Sequence, residues 1–371
     1  MPKRLQVLKA WILNTRVACM AAARRRDNLI LFGSVFAALT VMLAVTTVFL
    51  LKPARYSEAD LAKNQVSVAD NTFRHPLTGV VIEAPLGQLP QVYGVMVENS
   101  ADAWPLSGIE DAFLVIEAPV EGNIPRLEAF FVADMDVDKI GPVRSARPYY
   151  LDWNDELDGL YAHVGGSPDA LNFIDEYATL DLNEFFQGEY FWRDTVNRGA
   201  PHNVYTSTEL LDESLDELKL EPAEYDSWQF KVDAPLDVDP LSLKIDWGQE
   251  DVYDVKWAYQ ADSNQYLRLQ GTEIMNTAFG DSVLANNVVV MATSITVIDS
   301  AGRRRITTVG EGDALVVQDG KIILGRWKKP ERTERLRIYD AEGKEIKMNA
   351  GKTWIEVVPS LEGIQLVTNW Q

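Results

Sequence analysis

Leu29 to Leu51 (LILFGSVFAALTVMLAVTTVFLL) runs 23 residues without a charge, and this one stretch constrains the chain more than any other. About 20 apolar residues, each rising 1.5 Å, cross the hydrocarbon core of a bilayer. The run therefore predicts a transmembrane helix over residues 29–51. Arg24, Arg25 and Arg26 precede it, and Lys52 and Arg55 follow. The positive-inside bias keeps the N-terminus in the cytoplasm and places the remainder outside the membrane. A cleaved signal peptide would have a shorter apolar run ending in small residues. This one ends LLKPARY, which favours an uncleaved anchor. A lipidation signal at Cys19 is disfavoured, because Arg16 stands where such signals carry an aliphatic residue and no apolar stretch precedes it. Residues 1–28 form a basic cytoplasmic arm. It is either an amphipathic helix on the inner leaflet, using Leu5, Leu8, Trp11 and Ile12, or a disordered segment that orients the anchor.

Charge divides sharply at this point. Nine of the 35 Lys and Arg residues lie before residue 56, but one of the 55 Asp and Glu residues, so the rest of the chain carries a formal charge of -28. Such a body repels nucleic acid and anionic lipid at long range, which argues against nucleic-acid binding. The one cysteine, Cys19, precedes the apolar run. The exported part can hold no disulfide, thiolate metal site or cysteine nucleophile, a composition that suits a bacterial envelope.

Residues 52–72 are polar and aperiodic and read as a tether. From residue 73 to about 220 strand and helix patterns mix. Val92–Asn99, Phe113–Ala118 and Arg126–Met135 are strand-like, being short, β-branched or aromatic and near-continuously apolar, and Leu160–Val164 is a further candidate. Ser167-Pro168 predicts a helix start, with serine as N-cap and proline at the first helical position. Thr206 to Glu209 fits a capping box ahead of Leu211, Leu215 and Leu218. These elements predict an α/β or α+β domain over 73–220. From 221 to 371 the helical signal stops. Short alternating strands follow, with Asp319-Gly320 and Glu342-Gly343 at expected hairpin turns. They predict an all-β C-terminal domain, a sandwich or open barrel.

No Walker loop, HExxH, GxSxG or dinucleotide fingerprint is present. Polar residues of interest concentrate in three stretches. In GPVRSARPYY (141–150), Arg144 and Arg147 are three apart, so a helical turn would put both guanidiniums on one face, ready for a phosphate, pyrophosphate or carboxylate. Their alternative is pairing with nearby acids. In HVGGSPDA (163–170), Gly165 and Gly166 lead into the helix start at Ser167, an arrangement that phosphate sites use and that ordinary strand-to-helix turns also use. In YFWRDTVNRGAPHNVY (190–205), Trp192, Arg193, Asp194 and Asn203 offer aromatic and polar groups for a sugar or peptide, or simply pin a long loop. His163 and His202, with Glu117 or Asp194, are the candidate proton carriers. Nothing in their spacing demands a metal, and no metal or cofactor is expected. Glu117 and Glu121 are possible bases, or counter-charges for Arg126, Arg144 and Arg147.

HPLTG, IEAPVEG, RLEAFF, GPVRSARPYYLD, YAHVGGSPDAL, YFWRD and APHNVYTS resemble the YerB-like family, a bacterial family of extracytoplasmic proteins with a domain of unknown function and a smaller C-terminal domain. VKWAYQ, YLRLQG, NNVVV, GRWKK and GKTWIEVVP resemble its C-terminal part. The resemblance spans roughly 73–358. Its typical member looks like a lipoprotein, whereas here a transmembrane helix supplies the tether. The family's biochemical role is not established, so the resemblance implies a fold and a location without a mechanism. A second similarity, in order of features and without a shared residue motif, is to the LytR–CpsA–Psr glycopolymer transferases, whose arginines grip a pyrophosphate. Arg126, Arg144 and Arg147 would match them.

The expected function is a single-pass, membrane-anchored extracytoplasmic module that binds a ligand or partner. Its partners would be the bilayer through the N-terminal helix and a cell-wall or lipid-linked glycan or another envelope protein. The alternative is an enzyme acting on a phosphate-bearing envelope substrate.

Overall fold

The computed structural model describes residues 73–367, apart from 134, 219–221, 237–241 and 249–250. The expected arm, transmembrane helix and tether lie outside the described residues. Among the described residues no helix is long and apolar enough to cross a membrane.

Strands dominate and helices are few. The principal strands are β1 (Val92–Val97), β2 (Leu114–Pro119), β3 (Pro125–Val132), β4 (Leu160–His163), β5 (Asp181–Asn183), β6 (Ser242–Ile245), β7 (Val255–Gln260), β8 (Gln265–Gln270), β9 (Asn287–Ala292), β10 (Gly310–Gln318), β11 (Lys321–Lys329), β12 (Arg337–Asp340), β13 (Thr353–Val358) and β14 (Ile364–Val367). Among the described residues three α-helices accompany them: α1 (Pro148–Asp155), α2 (Pro168–Tyr177) and α3 (Thr208–Leu218).

Ten strands form one mixed sheet in the order β12-β11-β10-β9-β13-β2-β3-β1-β4-β5. The segments on either side of residue 220 share it. β13 pairs in parallel with both β9 and β2, joining the two. The C-terminal segment is therefore all-β among its described residues, as expected, and its strands lie in two sheets that share a core, but the larger of these continues into the N-terminal segment. The reason is legible in TWIEVV: every position of β13 is buried, so this strand requires cover on both faces and neighbours on both sides.

The two faces of the sheet follow the strand period of two. Tyr93, Val95 and Val97 of β1 share a core with Trp257 and Tyr266 of a second sheet, built around β8-β7-β6-β14. Val92 and Met96 point the other way, into a core with Tyr150 and Trp153 of α1 and Ile174 of α2. The result is a sandwich on one face and a helical layer on the other.

Local expectations hold with instructive exceptions. Ser167 caps α2 through Ala170 N at 3.3 Å, and Pro168 follows as the first helical residue. The cap of α3 is Ser207, which accepts from Leu210 N at 3.3 Å, while Thr206 instead donates to the Tyr190 carbonyl. Asp319 and Gly320, both at positive φ, close the β10–β11 hairpin with Gln318 opposite Lys321. Gly325 has no room for a side chain: an added Cβ would lie 2.1 Å from the Tyr339 carbonyl oxygen on the neighbouring strand. Gly325→Ala is expected to push β12 away from β11 and cost about 1–3 kcal/mol. Amide exchange over residues 337–340 checks it; protection unchanged from the parent would refute it.

Candidate functional site

β1, β2, β4 and β5 all point the same way, because β1, β4 and β5 pair in parallel and β2 is related to β1 through antiparallel β3. Ligands of open mixed sheets bind outside such carboxyl ends. Residues 141–147 run along this edge as extended chain: Arg144 N donates to Met96 O at 2.8 Å, Val164 N to Arg144 O at 3.1 Å and Ala146 N to Gly165 O at 2.9 Å. Arg144 and Arg147 therefore do not share a helical face. Pro148 begins α1, and a proline pushes the residue before it into extended conformation, as Arg147 shows at φ -134 and ψ 149.

The edge nonetheless gathers the three arginines. Arg126, at the start of β3, donates from Nη1 to Ser145 O at 2.8 Å, between Arg144 and Arg147 in sequence. Burial, reinforced by Arg147 and Arg144, brings its guanidinium down to about 10. Arg147 grips Glu121 with a fork, Nε to Oε1 at 2.9 Å and Nη2 to Oε2 at 2.7 Å. Burial pushes Glu121 up, but Arg147 outweighs it and holds the carboxyl below its usual range. Arg144 Nε lies 3.2 Å from Glu98 Oε2, and His202 Nδ1 meets the same oxygen at 2.9 Å. Ser100 Oγ donates to the other Glu98 oxygen at 2.8 Å. Two carboxylates thus face three guanidiniums. Among the described residues Arg126 has no carboxylate ion pair.

The remaining candidates have partners within the protein. His163 is fully buried, with Nδ1 2.7 Å from Gly165 O and Nε2 2.5 Å from Asp181 Oδ1, so neither nitrogen faces a ligand. It does not converge with His202. A Cβ on Gly165, at φ +56, would meet the Phe185 ring at 2.7 Å, and one on Gly166 would meet Ala146 Cβ at 3.1 Å. The glycines permit close packing. The α2 start spends its N–H groups internally, since Pro168 has none, Ala170 bonds Ser167 Oγ and Leu171 bonds Ser167 O. Trp192 stacks on Tyr205 at 6.0 Å. Arg193 pairs with Glu184 at 2.8 Å and reaches buried Asn203 at 3.4 Å. Hydrogen bonds from Asn197, joined by Lys139, hold Asp194 at about 2.

Glu117 is equally remote from solvent. Both its oxygens accept from Arg268 Nη2, at 3.0 and 2.8 Å, and Asn99 Nδ2 and the Trp354 indole each donate at 3.0 Å. Its cross-strand neighbour is Glu356. Two carboxylates side by side in a dry sheet cannot both ionise, and burial together with Glu117 pushes Glu356 well above the usual carboxylate range. Glu117 is buried among these donors and is not accessible from solvent.

Residues 77–221 match the family described as protein of unknown function (DUF3048), N-terminal domain, and residues 243–355 match its C-terminal domain. The Bacillus subtilis protein named "Putative lipoprotein YerB" is 31% identical over 311 residues, covering 82% of this chain and 92% of its own. The chain belongs to the YerB-like DUF3048 family. A crystal structure of the YerB protein from Bacillus subtilis superimposes with a TM-score of 0.71 at 29% identity, covering 79% of this chain and 99% of that one.

Two important residues of this YerB-like chain escaped the sequence reading. Glu98 follows directly on β1, and only the fold shows that Arg144 and His202 meet there. Arg268 could have been found: in QYLRLQ the buried Tyr266, Arg268 and Gln270 share one face of the strand, which places a charge at a core position.

Proposed function

We propose that this YerB-like protein is a membrane-tethered extracytoplasmic module that binds a phosphate-bearing envelope ligand, such as a lipid-linked or cell-wall glycan, at Arg126, Arg144 and Arg147. The uncharged run at 29–51 and the lipoprotein name of the Bacillus relative support the tethered, external location. The observation that carries the ligand class is Arg126, a buried guanidinium without a carboxylate partner among the described residues, between two further arginines on the carboxyl edge of the sheet. A buried cation is retained at a cost, and an anion seated there would offset it. The surrounding body is strongly acidic, so this local excess of positive charge is distinctive. The alternative, transfer chemistry on the same ligand, draws support from partly exposed His202, which pairs with buried Glu98 beside Arg144 and would carry the proton.

Calorimetric titration of the full chain in nanodiscs with inorganic pyrophosphate tests the binding reading. Arg126→Gln and the partly exposed Arg144→Gln are each expected to weaken binding about tenfold to a hundredfold, as loss of a charged hydrogen bond does. Arg326→Gln, at an exposed ion pair elsewhere, is expected to leave it unchanged. Equal affinity in all four proteins would reject the site.

A further inference from the structure

The structure also holds a cavity. It encloses about 530 Å³ between the turn at Trp104–Leu106 and the β7–β8 region of the smaller sheet. That volume is within the range of small-molecule sites. Trp104, Leu106, Val252 and Met275 supply apolar walls, and exposed Asp251 and Glu273 stand at its mouth. Its described lining contains no lysine or arginine.

The walls are tied together from behind. Trp104 Nε1 donates to Asn99 Oδ1 at 2.8 Å, and Asn99 Nδ2 donates to Glu117 Oε1 at 3.0 Å. Glu117 holds Arg268, whose Nη1 reaches Gln270 Oε1 at 2.5 Å and Met275 Sδ at 2.7 Å. Gln270 Nε2 donates to Val252 O at 3.3 Å. One buried ion pair thus fixes the two opposite sides, Trp104 on one and Gln270 with Met275 on the other. Trp104 is also held edge-on to Tyr253, with centroids 5.9 Å apart. Walls set in advance lose little entropy when a ligand enters.

We propose that this cavity is a binding site for a small organic cation, an ammonium or guanidinium head on an apolar or aromatic body. The apolar walls take the body by the hydrophobic effect. The two rim carboxylates attract the head, and the Trp104 ring adds a face that favours cations. An anionic ligand of the same shape meets repulsion from both rim acids. Its ligand has the opposite charge to that proposed for the arginine edge.

The test uses the full chain in zwitterionic nanodiscs, with empty nanodiscs as the blank, and three probes of one shape: 4-phenylbutylamine, 4-phenylbutanol and 4-phenylbutyrate. Saturation-transfer NMR and calorimetry are expected to rank them amine, alcohol, carboxylate. The double variant Asp251→Asn, Glu273→Gln is expected to weaken the amine about threefold to tenfold and leave the alcohol unchanged. Ile274→Arg, at an exposed lining position, places a cation at the mouth and is expected to remove amine binding. These are surface changes, and an unaltered melting temperature confirms that the fold is intact. Equal binding of the three probes overturns the proposal. So does an unchanged amine affinity in the double variant, or no saturable amine binding at about 5 mM, weaker than any millimolar site.

Discussion

Glu156→Ala is expected to cost about 3–5 kcal/mol, the price of breaking a buried ion pair from one side. Glu156 follows α1 and is buried. Its Oε2 accepts from Lys329 Nζ at 2.6 Å and from Leu336 N at 3.0 Å, and its Oε1 accepts from Arg335. Alanine would leave two buried cations and a backbone N–H without their acceptor. Arg335 has further support, since its guanidinium lies 4.0 Å from the Trp228 ring centroid. Lys329 also donates to Glu334 O at 2.6 Å, but a carbonyl does not neutralise its charge. Denaturant unfolding of the full chain checks the figure. Glu156→Gln, which keeps shape and an acceptor, is the companion variant that separates lost charge from lost packing. A loss below about 1 kcal/mol for Glu156→Ala would mean that the site relaxes or admits water, as exposed pairs do.

Glu128→Gln is expected to stabilise the protein at pH 8 and to do little at pH 5. Glu128 lies on the helical face of β3, fully buried, and neither carboxyl oxygen has a hydrogen-bond partner among the described residues. Burial first, then the neighbouring Asp155, Glu156 and Asp152, pushes it well above the usual carboxylate range. The folded state therefore keeps the proton that the unfolded chain releases near pH 4.5. Stability from this group is fully present below that pH and declines as pH rises toward the folded value, by about 1.4 kcal/mol per unit. Glutamine removes the decline, so the variant's advantage grows as pH rises from 5 to 8. Glu356, raised for a similar reason, titrates in the same direction and leaves a residual slope in the variant. Urea unfolding at the two pH values decides it; the same difference between parent and variant at both would show that Glu128 is ionised in the folded protein.

Both predictions concern charges that the sequence displays without indicating where they go. The strands themselves were legible, because VYGVMV, LVIEAP and TWIEVV are apolar at a period that buries both faces. The Ser167 cap and the Asp319-Gly320 turn were legible too, since their chemistry is local. The joining of the two segments was not. It depends on β13 pairing with β2 across more than two hundred residues, which no local pattern records. The same holds at the candidate site. Glu121 as a counter-charge for Arg147 was an open reading from proximity in sequence, and the structure realises it. Glu117 appeared to belong to that group. It faces the other side of the sheet and meets Arg268, 151 positions away. Alternation along β2 explains the difference: Glu117 lies on the same face as Val115, toward the second sheet, whereas Glu121 lies beyond the end of the strand.

The place of β13 has a consequence for how the protein comes into being. The strand at the middle of the larger sheet, between β9 and β2, is synthesised more than two hundred residues after β2. Until Thr353–Val358 emerge, β2 keeps an open side and the N-terminal half has an unpaired apolar border. Such borders invite pairing with other chains. Contacts this distant in sequence also close slowly.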